Sequence, residues 1–257
     1  MRKVLVFLSF IALAVALPAG AQSQPKTIAR IYTIKVKRGE EQQWETGMKR
    51  LNAWLHQHNA PTTGYTWLVI SGAETGEYVL GSFGLNWKDF DTMQERAAKE
   101  GFGKETQATV VPYTQSLQIS YYAFLPDLSS PVKPNQPPTP MSEITFFNLK
   151  PGGQQAVINA IKQANAAMTK THWKGNGPAG WYVLADGGER PQLVLSIGHM
   201  NWAGFQAPSP SLGEMLDQAY GKTRAQALGH TFNSHVRAEN IEIILYRPDL
   251  SYIAASQ

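Results

Sequence analysis

The sequence predicts an α+β fold built from two copies of one unit, and three observations carry that prediction. Short phrases recur in the same order: NWKDF at 86–90 returns as NWAGF at 201–205, and PDLS stands at both 126–129 and 248–251. The spacing between copies is nearly constant. It is 113 from Gly39, Gln42 and Lys49 to Gly152, Gln155 and Lys162, 116 from Gly64 and Leu68 to Gly180 and Leu184, 115 from Asn86 to Asn201, and 122 across PDLS. An internal repeat demands such constancy, with changes confined to loops. Hydrophobic phase repeats even where the letters do not. Trp44, Met48, Leu51 and Leu55 step by four, three and four, one helical stripe, and Val157, Ile161, Ala164 and Met168 hold the same positions 113 residues on.

Each copy opens with an apolar, β-rich run, at 28–36 and 143–149, followed by a Gly-containing turn and a long helix at about 40–58 and 153–170. Two strands follow, 64–71 with 77–84 and 180–186 with 192–199, joined by the turn residues SGAETG and GGERP. A helical region then begins at NWxxF, and a strand closes each copy at about 117–125 and 238–247. The order is β-α-β-β-α-β. The boundaries are 27–129 for the first copy and 142–252 for the second. Residues 130–141, with PVKPNQPPTP at 131–140, form a proline-rich linker, and APSPS at 207–211 is a surface insertion.

A β-α-β-β-α-β unit of this size is the ferredoxin-like arrangement, two helices on one face of a four-stranded antiparallel sheet. The strands are apolar on both faces, Tyr65, Trp67 and Val69 alternating with Leu68 and Ile70, so the second face also needs cover. A second sheet packed face to face supplies it within the chain. In this arrangement the sequence resembles a tandem member of the dimeric α+β-barrel superfamily, which includes the antibiotic-biosynthesis-monooxygenase-like, EthD-like and NIPSNAP-like families. The resemblance covers nearly all of 27–252 and rests on element order and duplication. It implies a pocket between the sheets, used in that superfamily by cofactor-independent oxygenases, haem-degrading enzymes, isomerases and stress proteins.

Pairing Leu68 with Leu184 as helix-facing places Tyr65, Trp67 and Val69, with Trp181, Val183 and Ala185, toward the opposite sheet. Tyr65, Trp67 and Trp181 are thus ligand-binding candidates, because small-molecule sites are mostly apolar and aromatic. The competing reading is that these rings fill the space as solid core. His199 stands where the first copy has Gly84, which makes it the one candidate base or haem ligand. Asn86 and Asn201 read as helix N-caps, with Trp87, Phe90, Trp202 and Phe205 anchoring the first turn against the sheet. In PDLS, proline ends the strand, Asp127 or Asp249 turns the chain, and the leucine pins the tail onto the other copy.

Residues 1–21 carry Arg2 and Lys3, an apolar run from Val4 to Leu17 and a small-residue site at Ala19-Gly20-Ala21, the pattern of a cleaved secretory signal. Export to the periplasm or the exterior is expected. The chain has no cysteine, which removes disulfides, thiolate ligands and a cysteine nucleophile. Without residues 1–21 there remain 21 Lys and Arg against 19 Asp and Glu, a net +2 with no basic stripe, so neither a nucleic acid nor a membrane surface is an expected partner. His56 with His58 and His230 with His235 lack ligand spacing, and no metal or cofactor is expected. No HExxH, GxSxG, GxGxxG or phosphate-loop pattern occurs. The expected function is binding of a small apolar or aromatic ligand, with cofactor-independent oxygenase-type chemistry as its catalytic form. The alternative is a non-catalytic interaction protein with a solid core, and a monomer is expected over a homo-oligomer.

Overall fold

The computed structural model describes residues 27–131, 136–175 and 177–255. The expected signal segment and part of the proline-rich linker lie outside them. The first half runs β1 (Ile28–Val36), α1 (Glu41–Gln57), β2 (Tyr65–Ser71), β3 (Tyr78–Leu85), α2 (Trp87–Glu100), α3 (Phe102–Thr109) and β4 (Thr114–Phe124). The second runs β5 (Met141–Leu149), α4 (Gln154–Thr171), β6 (Ala179–Asp186), β7 (Gln192–His199), α5 (Leu212–Tyr220), α6 (Lys222–His235) and β8 (Val236–Tyr246).

All strand pairs are antiparallel, and they close into one barrel in the order β1-β3-β2-β8-β5-β7-β6-β4. The expected face-to-face packing is therefore also an edge-to-edge union, because β2 pairs with β8 and β4 with β6. Closure removes the unpaired edges that two open sheets would leave. The helices lie outside. On α1 the expected stripe is the buried one, with Trp44, Met48 and Leu51 packed on Ile34, Val36 and Tyr78. On α4, Val157 and Ile161 pack on Phe147, Leu149 and Leu193.

The two halves interlock through their tails. Each PDL is a single 3₁₀ turn, Pro126–Leu128 and Pro248–Leu250, whose leucine enters the core under the other half's helix. Leu128 lies among Phe147, Val157 and Trp181, and Leu250 among Trp44, Met48 and Tyr78. Asn165 Nδ2 donates to the Leu128 carbonyl at 2.9 Å, and Asn52 Nδ2 to that of Leu250 at 2.9 Å. The expected turn-forming aspartates do less than the serines. Ser129 Oγ donates to Leu125 O and accepts from Trp181 N–H, while Ser251 Oγ donates to Arg247 O and accepts from Thr66 N–H. Asp249 instead pairs with Arg247 at 2.9 Å and Lys49 at 3.3 Å, which holds its carboxyl down to about 2.

Those serine contacts make Thr66 the counterpart of Trp181, a spacing of 115 and not the 116 read from the letters. A one-residue slip in a strand exchanges its two faces. The inward match of Trp67 is consequently Tyr182, and Trp181 turns outward, where it stacks on Phe147 with ring centroids 5.9 Å apart.

NWxxF also diverges between the halves. In the first, Asn86 caps α2 in a reciprocal box: Asp89 N–H donates to Asn86 Oδ1 at 3.0 Å, and Asn86 N–H to Asp89 Oδ2 at 2.9 Å. Trp87 and Phe90 pack on Tyr121 at 5.3 and 5.2 Å. In the second, Gly204 offers no carboxylate, and Asn201 caps only the 3₁₀ turn Trp202–Phe205. Helix α5 starts later, from a Ser211–Glu214 box after the APSPS insertion. Trp202 anchors little, being 63% exposed.

Gly47 marks a close approach of α1 to α3. A Cβ there would sit 2.1 Å from the carbonyl oxygen of Thr109, at the end of α3. Gly47→Ala is expected to lower stability by about 1–2 kcal/mol through overpacking, read as a lower urea midpoint at unchanged slope.

Candidate functional site

Inward positions alternate along every strand, and their side chains leave a cavity of about 370 Å³ inside the barrel. Its wall is mainly apolar and aromatic, with Trp67, Val79, Phe83, Ile144, Phe146 and Tyr182. Rings meet edge to face or tilted, Trp67 on Phe83 at 6.1 Å and Phe83 on Tyr182 at 6.4 Å. Toward one end the lining turns polar, with Gln118, Ser120, Tyr122, Gln192, Asn240 and Glu242.

Antiparallel order around the barrel puts the β2–β3 and β6–β7 loops at that same end, where they contribute Ala73, Glu74, Gly188 and Glu189. Equivalent glycines fold them over the rim. Gly72 has φ +107° and Gly187 φ +83°, a left-handed backbone that side chains disfavour. A Cβ on Gly72 would lie 2.7 Å from Glu242 Cγ, and one on Gly187 2.2 Å from Ile119 O. The second loop is tied down by Ser120 Oγ, which donates to Gly187 O at 2.9 Å.

Glu242 is the chemically distinctive group. It occupies an inward position of β8, opposite Ile144 of β5, and is 6% exposed. Burial, with the nearby Glu74 and Glu77 carboxylates, raises its carboxyl to about 7, against a smaller downward pull from the Glu74 backbone N–H. Glu74 is itself raised by burial and by Glu77. Tyr122, across the polar end, is pushed up to about 12 chiefly by burial, and its hydroxyl donates to Gln192 Oε1 at 3.3 Å. Gln192 Nε2 is held in turn by Asn148 Oδ1 at 2.9 Å. Trp67 Nε1–H is buried without an acceptor.

The site differs from the sequence-predicted one. Trp67 lines the cavity; Tyr65 joins its aromatic cluster, 6.0 Å from Trp67, but is not in the lining. Trp181 faces α4. His199 shares the outward phase of Leu193 and Leu195, so it points away from the cavity; it is 3% exposed, stacked on Phe205 at 4.0 Å with both ring nitrogens unpartnered. Neither can serve a ligand inside the barrel. Among the described residues no histidine lines the cavity and no group of three potential metal ligands occurs. Sequence reasoning missed Glu242, Glu74, Tyr122 and Tyr182. The signal for Glu242 was an acid at an inward-phase position of an apolar strand, matched by Ser120 in the first copy at the PDLS spacing of 122.

No family model matches this chain, and no curated protein does. Solved structures do. A "putative monooxygenase" from Fusobacterium nucleatum aligns over 85% of this chain and 91% of its own at 10% identity, TM-score 0.54. A second so described, from Lactobacillus acidophilus, aligns over 90% and 97% at 9% identity, TM-score 0.51. A chlorite dismutase variant from Candidatus Nitrospira defluvii aligns over 89% and 93% at 8% identity, TM-score 0.51. The likeness is one of fold alone: the chain has the architecture of these neighbours and closes its barrel within one polypeptide.

Proposed function

We propose that the barrel cavity binds a small, largely aromatic ligand and that Glu242 is its proton acceptor. The observation that carries this reading is a carboxyl raised to about 7, held in a cavity with aromatic walls; a general base works best with its pKa near ambient pH. Trp67 Nε1–H would give such a ligand a hydrogen bond, and the Tyr122 hydroxyl, whose proton goes to Gln192, would offer an acceptor at the polar end. The alternative of a solid core is disfavoured by the cavity itself.

The oxygenase-type form of the reaction is supported by the description of two structural neighbours as monooxygenases. In that form Glu242 takes a proton from an activated methylene, and dioxygen oxidises the carbanion. One oxygen atom becomes the carbonyl and the other leaves as water with the two methylene hydrogens, so no external reductant is consumed.

We read the chain as a duplication of one ferredoxin-like unit, supported by the matching strand orders β4-β1-β3-β2 and β8-β5-β7-β6, and as a monomer, since the closed barrel offers no free strand edge. Export stays a proposal resting on residues 1–21.

Titration with a panel of aromatic compounds, followed by tryptophan fluorescence, tests the reading. Ligand binding is expected to quench or shift emission, and Trp67→Phe to remove most of that response. No response to any compound, or an equal response from the Trp67→Phe variant, would overturn it.

A further inference from the structure

The acids around the cavity are unequally answered. Glu77 pairs with Lys35 at 3.8 Å and Glu189 with Arg237 at 2.6 Å. Glu74 and Glu242 both line the cavity, close enough for the Glu74 charge and backbone N–H to act on the Glu242 carboxyl, and among the described residues neither has an ion-pair partner. Among the described residues no lysine, arginine or histidine lines the cavity, although the chain as a whole is basic. Two neighbouring carboxylates in one cavity repel each other, and their desolvation is relieved by a proton or by an opposite charge that joins them. The same cavity is lined by Trp67, Phe83, Phe146 and Tyr182, aromatic rings whose faces also attract cations. At the far end stands the unpartnered donor of Trp67, 6% exposed and in the cavity lining. Trp67 is level with Tyr246, four residues along β8 from Glu242, so the two polar ends are about 13 Å apart along the strand.

We propose that the cavity selects an aromatic ligand carrying a positively charged group, an ammonium or guanidinium, which seats between Glu74 and Glu242 while a hydrogen-bond acceptor of the ligand reaches Trp67 Nε1. The inference rests on the cavity being a ligand site. It adds the ligand's charge, and it excludes anions such as aromatic carboxylates and phosphates, for which the lining has no cationic partner. It also bears on the base: a cation at Glu74 favours the ionised form of Glu242, the form that accepts a proton.

The groups facing Glu242 are few. Glu74 and Glu77 face it from the β2–β3 loop and the Tyr122 hydroxyl from β4, while β5 presents Ile144 and Phe146. A cationic ligand binds best when Glu242 is ionised, so its affinity should rise with pH through the neutral range. A neutral ligand of the same shape should show little such dependence.

Calorimetric titration of the full chain with tryptamine, tryptophol and indoleacetate, matched in ring and differing in charge, decides the matter. Tryptamine is expected to bind at least about tenfold more tightly than tryptophol at pH 8, with indoleacetate weakest. That advantage should shrink roughly tenfold between pH 8 and pH 6, as a single carboxyl near 7 requires. Glu242→Gln and, independently, the loop variant Glu74→Gln should each bring the tryptamine-to-tryptophol ratio toward one, and the second keeps the test open if the first folds poorly. Tryptophol binding as tightly as tryptamine, or indoleacetate binding best, would overturn the charge assignment and leave the cavity reading standing. Absence of heat from all three compounds would overturn both.

Discussion

Leu250→Ala is expected to lower stability by about 3–5 kcal/mol, the largest effect of any single change considered for this fold. Leu250 is fully buried under α1, yet it belongs to the tail of the second half. Its removal leaves a cavity against Trp44, Met48 and Leu51, all anchored on a closed barrel that cannot collapse inward to fill it. Its backbone carbonyl also accepts from Asn52 Nδ2 and, at 3.0 Å, from Thr66 Oγ1, so loosening the turn would strip two buried donors of their acceptor. Leu128→Ala should act similarly on the other half, where Asn165 makes the matching bond. Because each half's core is completed by the other's tail, denaturant unfolding should be a single transition, coincident by circular dichroism and tryptophan emission. Two separated transitions would show that the halves fold independently and that the exchange of leucines is incidental.

Glu242→Gln is expected to make the protein more stable than the wild type at pH 8, by about 2–3 kcal/mol, while matching it near pH 4. A carboxyl whose folded-state value is raised to about 7, from an ordinary 4.5, binds its proton more tightly in the folded state. Its favourable contribution is complete below the ordinary value and is lost as pH rises from about 4.5 through 7. Glutamine keeps the shape and never pays the desolvation of a charge, so the loss should vanish in the variant. Urea midpoints across pH 4–8 measure the difference. Parallel curves would show that Glu242 is solvated in the folded protein and would remove the ground for its role as a base. A gain in stability on replacing a polar residue is also what a site held for function predicts, since native proteins retain such strain where it serves chemistry.

Much of the fold was legible because its signals are local and repeated. The stripes on α1 and α4 follow the 3.6-residue period, and the predicted spans of β1 and β7 coincide with the observed ones. The Asn86 box could be read because Asp89 lies three residues on. The same rule, with Gly204 in place of the acid, accounts for the weaker cap of the second NWxxF, but not for a helix that starts ten residues later, at Leu212.

The candidate site was legible only in part. Trp67 was found from strand alternation, whereas Trp181 was misplaced by a single residue of alignment, and in a strand one residue decides between core and cavity. No letter pattern announces Glu242, because its carboxyl is raised first by burial inside the closed barrel and then by Glu74, on a loop that crosses it through Gly72, about 170 residues away in the chain.

By itself, then, the sequence determined the α+β order of strands and helices, the outward helices and the aromatic character of the inward face, all properties of short-range periodicity. Tertiary structure alone decided the closure of the two sheets into one barrel, the exchange of Leu128 and Leu250 between halves, and the meeting of Glu74 with Glu242. Those depend on long-range pairing and on which volumes remain unfilled, and a lost solvent shell shifts a carboxyl only once the whole barrel has closed around it.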